Sequence, residues 1–434
     1  MKTILGAVLF AIWIPLSAAG LEPYSDKPVA FVGVNVIPMT SETVILNQTV
    51  LIKDGIITTI GNAEDVKIPR RAQRIDCEDK YLIPGLIDLH AHLFAGRKGN
   101  PQLLSLYLSQ GVTSILNLRG TKGALALGAQ IDSGELVGPE IYQGSPIQGN
   151  IAPTPATYED GVKVVQKFKK EGYDFVKTYN RIPVEGYRGI MDAADELDMP
   201  VVGHTVRLVG FDGILARGQH IAHMEEVIYG AFRYGLDESR IPEVTKQVKD
   251  SGVSVIATLI VYHNIIRQLD DIQAILANPG FEHIHPALAD NWQPDRDEYL
   301  NGWTQKQKEV YLIPSFAFLQ KLTLAFHKAG VPILMGTDAC VTGTIPGHSA
   351  HRELEELADC GLSNYDALAS ATSKAADFLS AGDIGTIQEG KRADLILLNA
   401  DPLEDITNSS KIEGIMTRGL WQTQEEIRGR LVDY

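Results

Sequence analysis

The chain has 434 residues, of which 44% are hydrophobic and 21% charged. That balance excludes a disordered or collagen-like chain and allows a large core with more than one domain. The formal charge of −15, from 39 basic and 54 acidic residues, repels nucleic acid and anionic membranes. It points to a small-molecule or short-peptide substrate.

Residues 1–20 read as a signal peptide. Lys2 precedes an apolar run from Ile4 to Leu16, and Ser17-Ala18-Ala19-Gly20 supplies small residues for cleavage. The run is short for a membrane span, although an uncleaved anchor is the alternative. The expectation is an exported protein, periplasmic or secreted, with no membrane attachment after cleavage. A homo-oligomer is compatible with the sequence. Cys77, Cys340 and Cys360 are too few for a disulfide framework and read as buried thiols.

Residues 21–82 have strand composition. Ala30–Ile37, Thr49–Ile52, Gly55–Ile60 and Arg74–Cys77 are the expected strands, and Asp54-Gly55 is a hairpin turn. From residue 83 to 384, short apolar strands alternate with helical periodicity. Eight strands are expected near Leu86–His92, Val112–Leu118, Glu140–Gly144, Asp174–Tyr179, Pro200–His204, His220–Met224, Ser254–Ile260 and Pro332–Asp338. Helices are expected over Glu159–Glu171, Val184–Leu197 and Glu238–Ser251. Eightfold strand–helix alternation predicts an α/β fold, a (β/α)8 TIM barrel. The polar and aromatic stretch His263–Gln307 after strand seven reads as a lid or substrate wall. Residues 385–434 return to strand, with Gly385–Ile387, Ala393–Leu398 and Gly414–Thr417. A hairpin alone is unstable, so these strands are expected to join residues 21–82 in one small β-sandwich.

The run Pro84-Gly85-Leu86-Ile87-Asp88-Leu89-His90-Ala91-His92 carries the most chemistry. Spacing i, i+2 on a strand puts both imidazoles on one face, where they can share a divalent cation. Lys177, His204, His223 and Asp338 follow at the ends of later strands, where such barrels place catalytic groups. His220 competes with His223, but their odd spacing allows only one of them to face inward. His351, at the start of a helix, reads as structural.

With these residues and the tail Gly385-Thr386-Ile387-Gln388-Glu389-Gly390-Lys391-Arg392-Ala393-Asp394-Leu395, the chain resembles the amidohydrolase superfamily. The match is to the binuclear, carboxylated-lysine branch that includes prolidase-like, Xaa-dipeptidase-like and imidazolonepropionase-like enzymes. The resemblance implies two divalent metal ions, zinc in this reading. It implies that His90 and His92 hold the more buried ion and that His204 and His223 hold the more exposed one. Asp338 would serve the buried ion and a shared hydroxide, and Lys177 would bridge both as N6-carboxylysine. A strand lysine is ordinarily solvated, yet Phe175, Val176 and Tyr179 suggest a buried strand here. Neighbouring cations disfavour the ammonium, and the neutral amine can add CO2.

The implied reaction is hydrolysis of the amide of a dipeptide or N-acyl amino acid, with Asp338 as proton shuttle. Tyr229 is a candidate substrate contact, with core packing as its alternative. Arg207 is a candidate partner for a substrate carboxylate, or a plain surface arginine. The loop after strand three, Ser145–Asn150, lacks the histidine of several relatives and offers Gln148 or Asn150 instead. Rival functions are a deaminase or cyclic-amide hydrolase, an ochratoxin-type amidase, and a non-catalytic exported metal-binding protein.

Overall fold

The structure, a computed structural model, describes residue 25 and residues 27–93, 100–150 and 153–432. The expected signal peptide lies outside the described residues. Among those described, no helix is long and apolar enough to cross a membrane.

The chain opens with β1 (Val29–Val36), β2 (Ile45–Lys53), β3 (Ile56–Asn62), β4 (Gln73–Asp76) and β5 (Tyr81–Pro84). β2 and β3 form the expected hairpin, with Asp54 and Gly55 at φ 52° and 73° in the turn. The middle of the chain supplies β6 (Leu86–Ala91), β7 (Val112–Asn117), β8 (Glu140–Gln143), β9 (Val176–Thr178), β10 (Val201–Gly203), β11 (His220–Ala222), β12 (Val255–Ile256) and β13 (Ile333–Leu334). The end adds β14 (Leu395–Leu398), β15 (Ile412–Thr417) and β16 (Leu420–Thr423).

Both chain ends meet in one mixed sheet of eight strands, ordered β16-β15-β14-β5-β1-β2-β3 with β4 beside β1. The join is the antiparallel pairing of β14 with β5, Leu395 opposite Pro84 and Leu398 opposite Tyr81. The hydrogen bonding describes this single sheet where two facing layers were expected. One face buries Val29, Phe31, Val50, Ile52, Leu395, Leu397 and Met416.

The middle strands are parallel, in a set β6-β7-β8 and a set β13-β12-β11-β10-β9. Their residues are almost all buried, as strands covered by helices on one face and packed on each other must be. The two sets touch at both edges. Ala91 bridges Ala339, with Asp338 N–H donating to His90 O at 2.7 Å, and Gly144 bridges Phe175. The connecting helices run as their periodicity predicts, at Tyr158–Glu171, Val184–Glu196 and Ile241–Ser251. The first is closed by a Thr157–Asp160 capping box and by Gly172 at φ 91°.

Two expectations are corrected. Strand seven stops at Ile256, and a helix over Leu259–Leu276 takes the rest of the stretch. Two buried Glu353 oxygens accept from Leu259 N–H at 2.9 Å and Ile260 N–H at 2.7 Å, so a carboxylate from a distant helix starts this one. Gly385–Ile387 is not a strand; Ile387 N–H makes one backbone bond, to Pro38 O. The strands β5 and β16 were not expected at all.

Candidate metal centre

Each candidate ligand stands just at or beyond the C-terminal end of a parallel strand. His90 is in β6 and His92 follows it; Lys177 is in β9; His204, His223 and Asp338 follow β10, β11 and β13. All six line one cavity of about 660 Å³. His90, His92 and Asp338 each offer a ligand atom within 4.8 Å of the others'. Asp338 Oδ1 lies 2.6 Å from His92 Nε2 and 3.3 Å from His90 Nε2. The His223 ring joins the group, its centroid 4.5 Å from that of His90 and 4.6 Å from that of His204.

The inward choice between the two histidines of strand six falls on His223. His220 turns the other way, packs edge-on against Phe378 at 5.0 Å and accepts from Ser254 N–H at 3.0 Å. His223 and Asp338 hold left-handed backbone, at φ 78° and 53°. Such strain persists where surrounding contacts over-determine it, and it gathers at functional sites.

Groups behind the ligands fix their rings. His204 Nδ1–H donates to Glu226 Oε1 at 2.7 Å, and Glu226 Oε2 accepts from Thr205 N–H at 2.9 Å. His223 Nδ1 lies 2.8 Å from Thr258 Oγ1. With both Nδ1 atoms engaged, both Nε2 lone pairs are left for a cation. Asp88 Oδ1 accepts from His90 N–H at 3.1 Å and Thr337 N–H at 3.0 Å, and Oδ2 accepts from Thr337 Oγ1–H at 2.6 Å. It thereby ties the His-x-His strand to the segment carrying Asp338.

The donor set fits divalent cations. His90 Nδ1, His92 Nδ1 and Lys177 Nζ are buried with no hydrogen-bond partner. A buried, unpartnered amine in the same cavity as this histidine–carboxylate group is costly unless a ligand joins it. Burial pushes the Lys177 amine down to about 8, against the pull of the Asp338 and Glu226 carboxylates. Burial likewise pushes His90 and His223 well below the usual imidazole range, so both stand neutral as ligands must. Burial raises the Asp338 carboxyl, but His92 outweighs it with help from His223 and Lys177 and holds it at about 2.

Tyr229 and Arg207 both stand in the cavity wall, as do Asn150 and Cys340. Gln148 is drawn away, its Nε2 donating to Pro146 O at 2.8 Å. The three thiols are free and buried, as expected. The stretch after strand seven does line the cavity, with Ile265, Leu288, Trp292 and Tyr299 on it. Four supporting residues escaped the sequence reading. Asp88, sharing a strand face with His90, was a readable signal; Glu226, Thr258 and Glu353 act across elements and left none.

The Amidohydrolase family profile matches residues 81–421. Imidazolonepropionase from Bacillus cytotoxicus is 40% identical over 89 residues, which is 20% of this chain and 20% of that protein. The matched stretch is thus a fifth of the length of that curated relative. Among solved structures, bottromycin amidohydrolase superposes with a TM-score of 0.74 at 22% identity, over 96% of this chain and 92% of that one. A Xaa-Pro dipeptidase with methionine in its active site gives 0.70 at 19% identity, over 92% and 100%. Family profile, fold and the grouping of His90, His92 and Asp338 agree, and the chain belongs to the amidohydrolase family.

Proposed function

We propose that this protein is a binuclear metal-dependent hydrolase that cleaves the amide C–N bond of a dipeptide or an N-acyl amino acid. The observation that carries the reading is the convergence of His90, His92, Lys177, His204, His223 and Asp338 on one cavity, with the Lys177 amine buried and unpartnered. An isolated buried ammonium is costly, whereas the neutral amine can add CO2, lose a proton and become an anionic ligand. In this reading the eight parallel strands act as one closed barrel over residues 83–384. The mixed sheet of 21–82 and 385–434 is its small β-domain, which we read as a folded-over sandwich.

His90 and His92 would hold the inner ion and His204 and His223 the outer, with carboxylated Lys177 between them. When bound, two divalent cations, zinc in this proposal, supply an activated water at neutral pH and polarise the scissile carbonyl. Asp338 takes the proton from the attacking water and returns it to the leaving amine. Arg207 pairs with a substrate carboxylate, and Tyr229 donates from its phenol to the substrate. Residues 1–20 direct export and are removed.

The test is a metal count on purified protein paired with amino acid release from a library of dipeptides and N-acyl amino acids. Two ions per chain and turnover of such amides support the proposal. Lys177→Ala should hold about half the metal and lose at least about a hundredfold in turnover. A single ion with an unmodified, dispensable Lys177 would instead favour the deaminase or cyclic-amide reading.

A further inference from the structure

A second cavity of about 640 Å³ adjoins the metal cavity. Its walls come from residues 205–212, the helix Glu225–Gly230 with the turn after it, and the helix Ile241–Ser251. Arg207, Glu226 and Tyr229 stand in the walls of both cavities. Glu226 is pinned by His204 and Thr205, but Arg207 is exposed and makes no ion pair among the described residues.

The far wall is built with some strain. Arg233 and Tyr234 are successive left-handed residues, at φ 52° and 65°, and neither is glycine or asparagine. Each such residue costs on the order of 1–3 kcal/mol unless its surroundings hold it. Here Tyr234 N–H donates to Ile228 O at 3.0 Å, and the Tyr234 ring stacks on Tyr229 at 5.0 Å. The result is an aromatic pair along the boundary, with Phe211 and Val209 as further apolar wall. Arg240 is already engaged, donating to Ala231 O at 3.1 Å and lying over Phe232. Arg233 is exposed and, like Arg207, has no ion-pair partner among the described residues.

A single cavity of roughly 300–1,000 Å³ suffices for a drug-sized ligand, so the metal cavity alone already holds a dipeptide. We propose that the second cavity is an extended subsite of the catalytic site, taking the leaving-amine portion of substrates longer than a dipeptide. Its ligand is a peptidyl tail, whose carbonyls and terminal carboxylate accept from Arg207 and Arg233 while its side chains lie on the tyrosine pair. This rests on the amide-hydrolase reading and on Arg207 and Tyr229 facing the leaving-group side.

The test compares kcat/KM of the metal-loaded enzyme for a dipeptide, for the same dipeptide lengthened on the leaving-amine side, and for one lengthened on the acyl side. Lengthening on the leaving side should raise kcat/KM about tenfold, the worth of one charge-assisted hydrogen bond. The ratio of long to short substrate should fall toward one in Arg233→Ala, and also in Gln247→Trp, which fills the cavity from the Ile241–Ser251 helix. A merely structural role lowers both substrates alike and leaves the ratio standing. An unchanged ratio in both variants, or a gain confined to the acyl side, overturns the subsite. Absence of all amide turnover would overturn the hydrolase reading itself, and the subsite with it.

Discussion

Glu226 braces the candidate ligand His204 from behind: one oxygen orients its ring, and the other holds the backbone at Thr205. Removing such an outer partner typically costs 10–100-fold in metal affinity or activity, so Glu226→Ala should lose about that much in a metal titration, with its circular dichroism intact. Loss of fold together with metal would show Glu226 to be structural support instead. Asp88 does the same for His90 and the segment leading to Asp338, and its chemistry makes a sharper prediction. Burial pushes its carboxyl up to about 7, against the bonds from Thr337 and His90 that hold it down. An amide can keep both N–H bonds on its oxygen and donate from its nitrogen to Thr337 Oγ1. Asp88→Asn should therefore keep metal affinity within a few-fold, whereas Asp88→Ala strands three donors and costs about 2–4 kcal/mol in urea unfolding. Equal losses in the two variants would sink this account. The six candidate ligands were legible because each stands at or near the end of an apolar strand in a recognisable motif. Glu226 and Thr258 were not, because their partners come from other strands and leave no spacing in the sequence.

The helix Leu259–Leu276 carries Val261, Tyr262 and Ile265 into the cavity wall, and its first turn depends on Glu353. No residue of its own caps it: Thr258, the residue before it, is left-handed at φ 52° and is turned toward His223. Glu353→Ala should destabilise the protein by about 1–3 kcal/mol and raise KM more than it lowers kcat, because the wall moves while the ligands stay. A kcat loss with KM unchanged would place the damage at the metal centre instead. This helix also explains the misread strand. Ser254–Ile260 is apolar and β-branched, and propensity over so short a run does not separate strand from buried helix. The deciding group lies 94 residues away from Leu259. Elsewhere local signals were sufficient: the amphipathic helices and the Asp54-Gly55 hairpin form where composition places them. β5 was missed because Pro84 at its end argues against a strand, yet Leu395 pairs opposite that proline in the register.

At the scale of the molecule, the C-terminal end is sewn to the parallel strands and their helices by buried polar groups. Arg418 donates to Ile131 O at 2.7 Å and Asp132 O at 3.0 Å, capping the helix Lys122–Asp132. Arg392 sits among Glu140, Asp383 and Asp394, which with burial overcome keep it charged. The sequence showed that both ends are β-rich and so belong together, but one mixed sheet and two facing layers share the same strand composition. These seams are fixed by long-range contacts, and His351 makes one of them. It is fully buried, with Nδ1 at 2.9 Å from Ser409 Oγ and Nε2 at 3.0 Å from Gln110 O, so it joins the helix His348–Asp359 to the C-terminal segment. Burial pushes its pKa from 6.5 down to about 4. Below 6.5 the unfolded chain binds a proton that the folded chain refuses until about 4. The stability contributed by neutral His351 is thus complete above 6.5 and is lost as pH falls toward 4. Within that window the loss amounts to about 1.4 kcal/mol per pH unit. His351→Asn lacks this proton, so its unfolding free energy, measured in urea at intervals from neutral to acid, should fall less steeply by up to that amount. Parallel slopes for the two proteins would mean that His351 takes up its proton in the folded state, and the seam would have to be held by other groups.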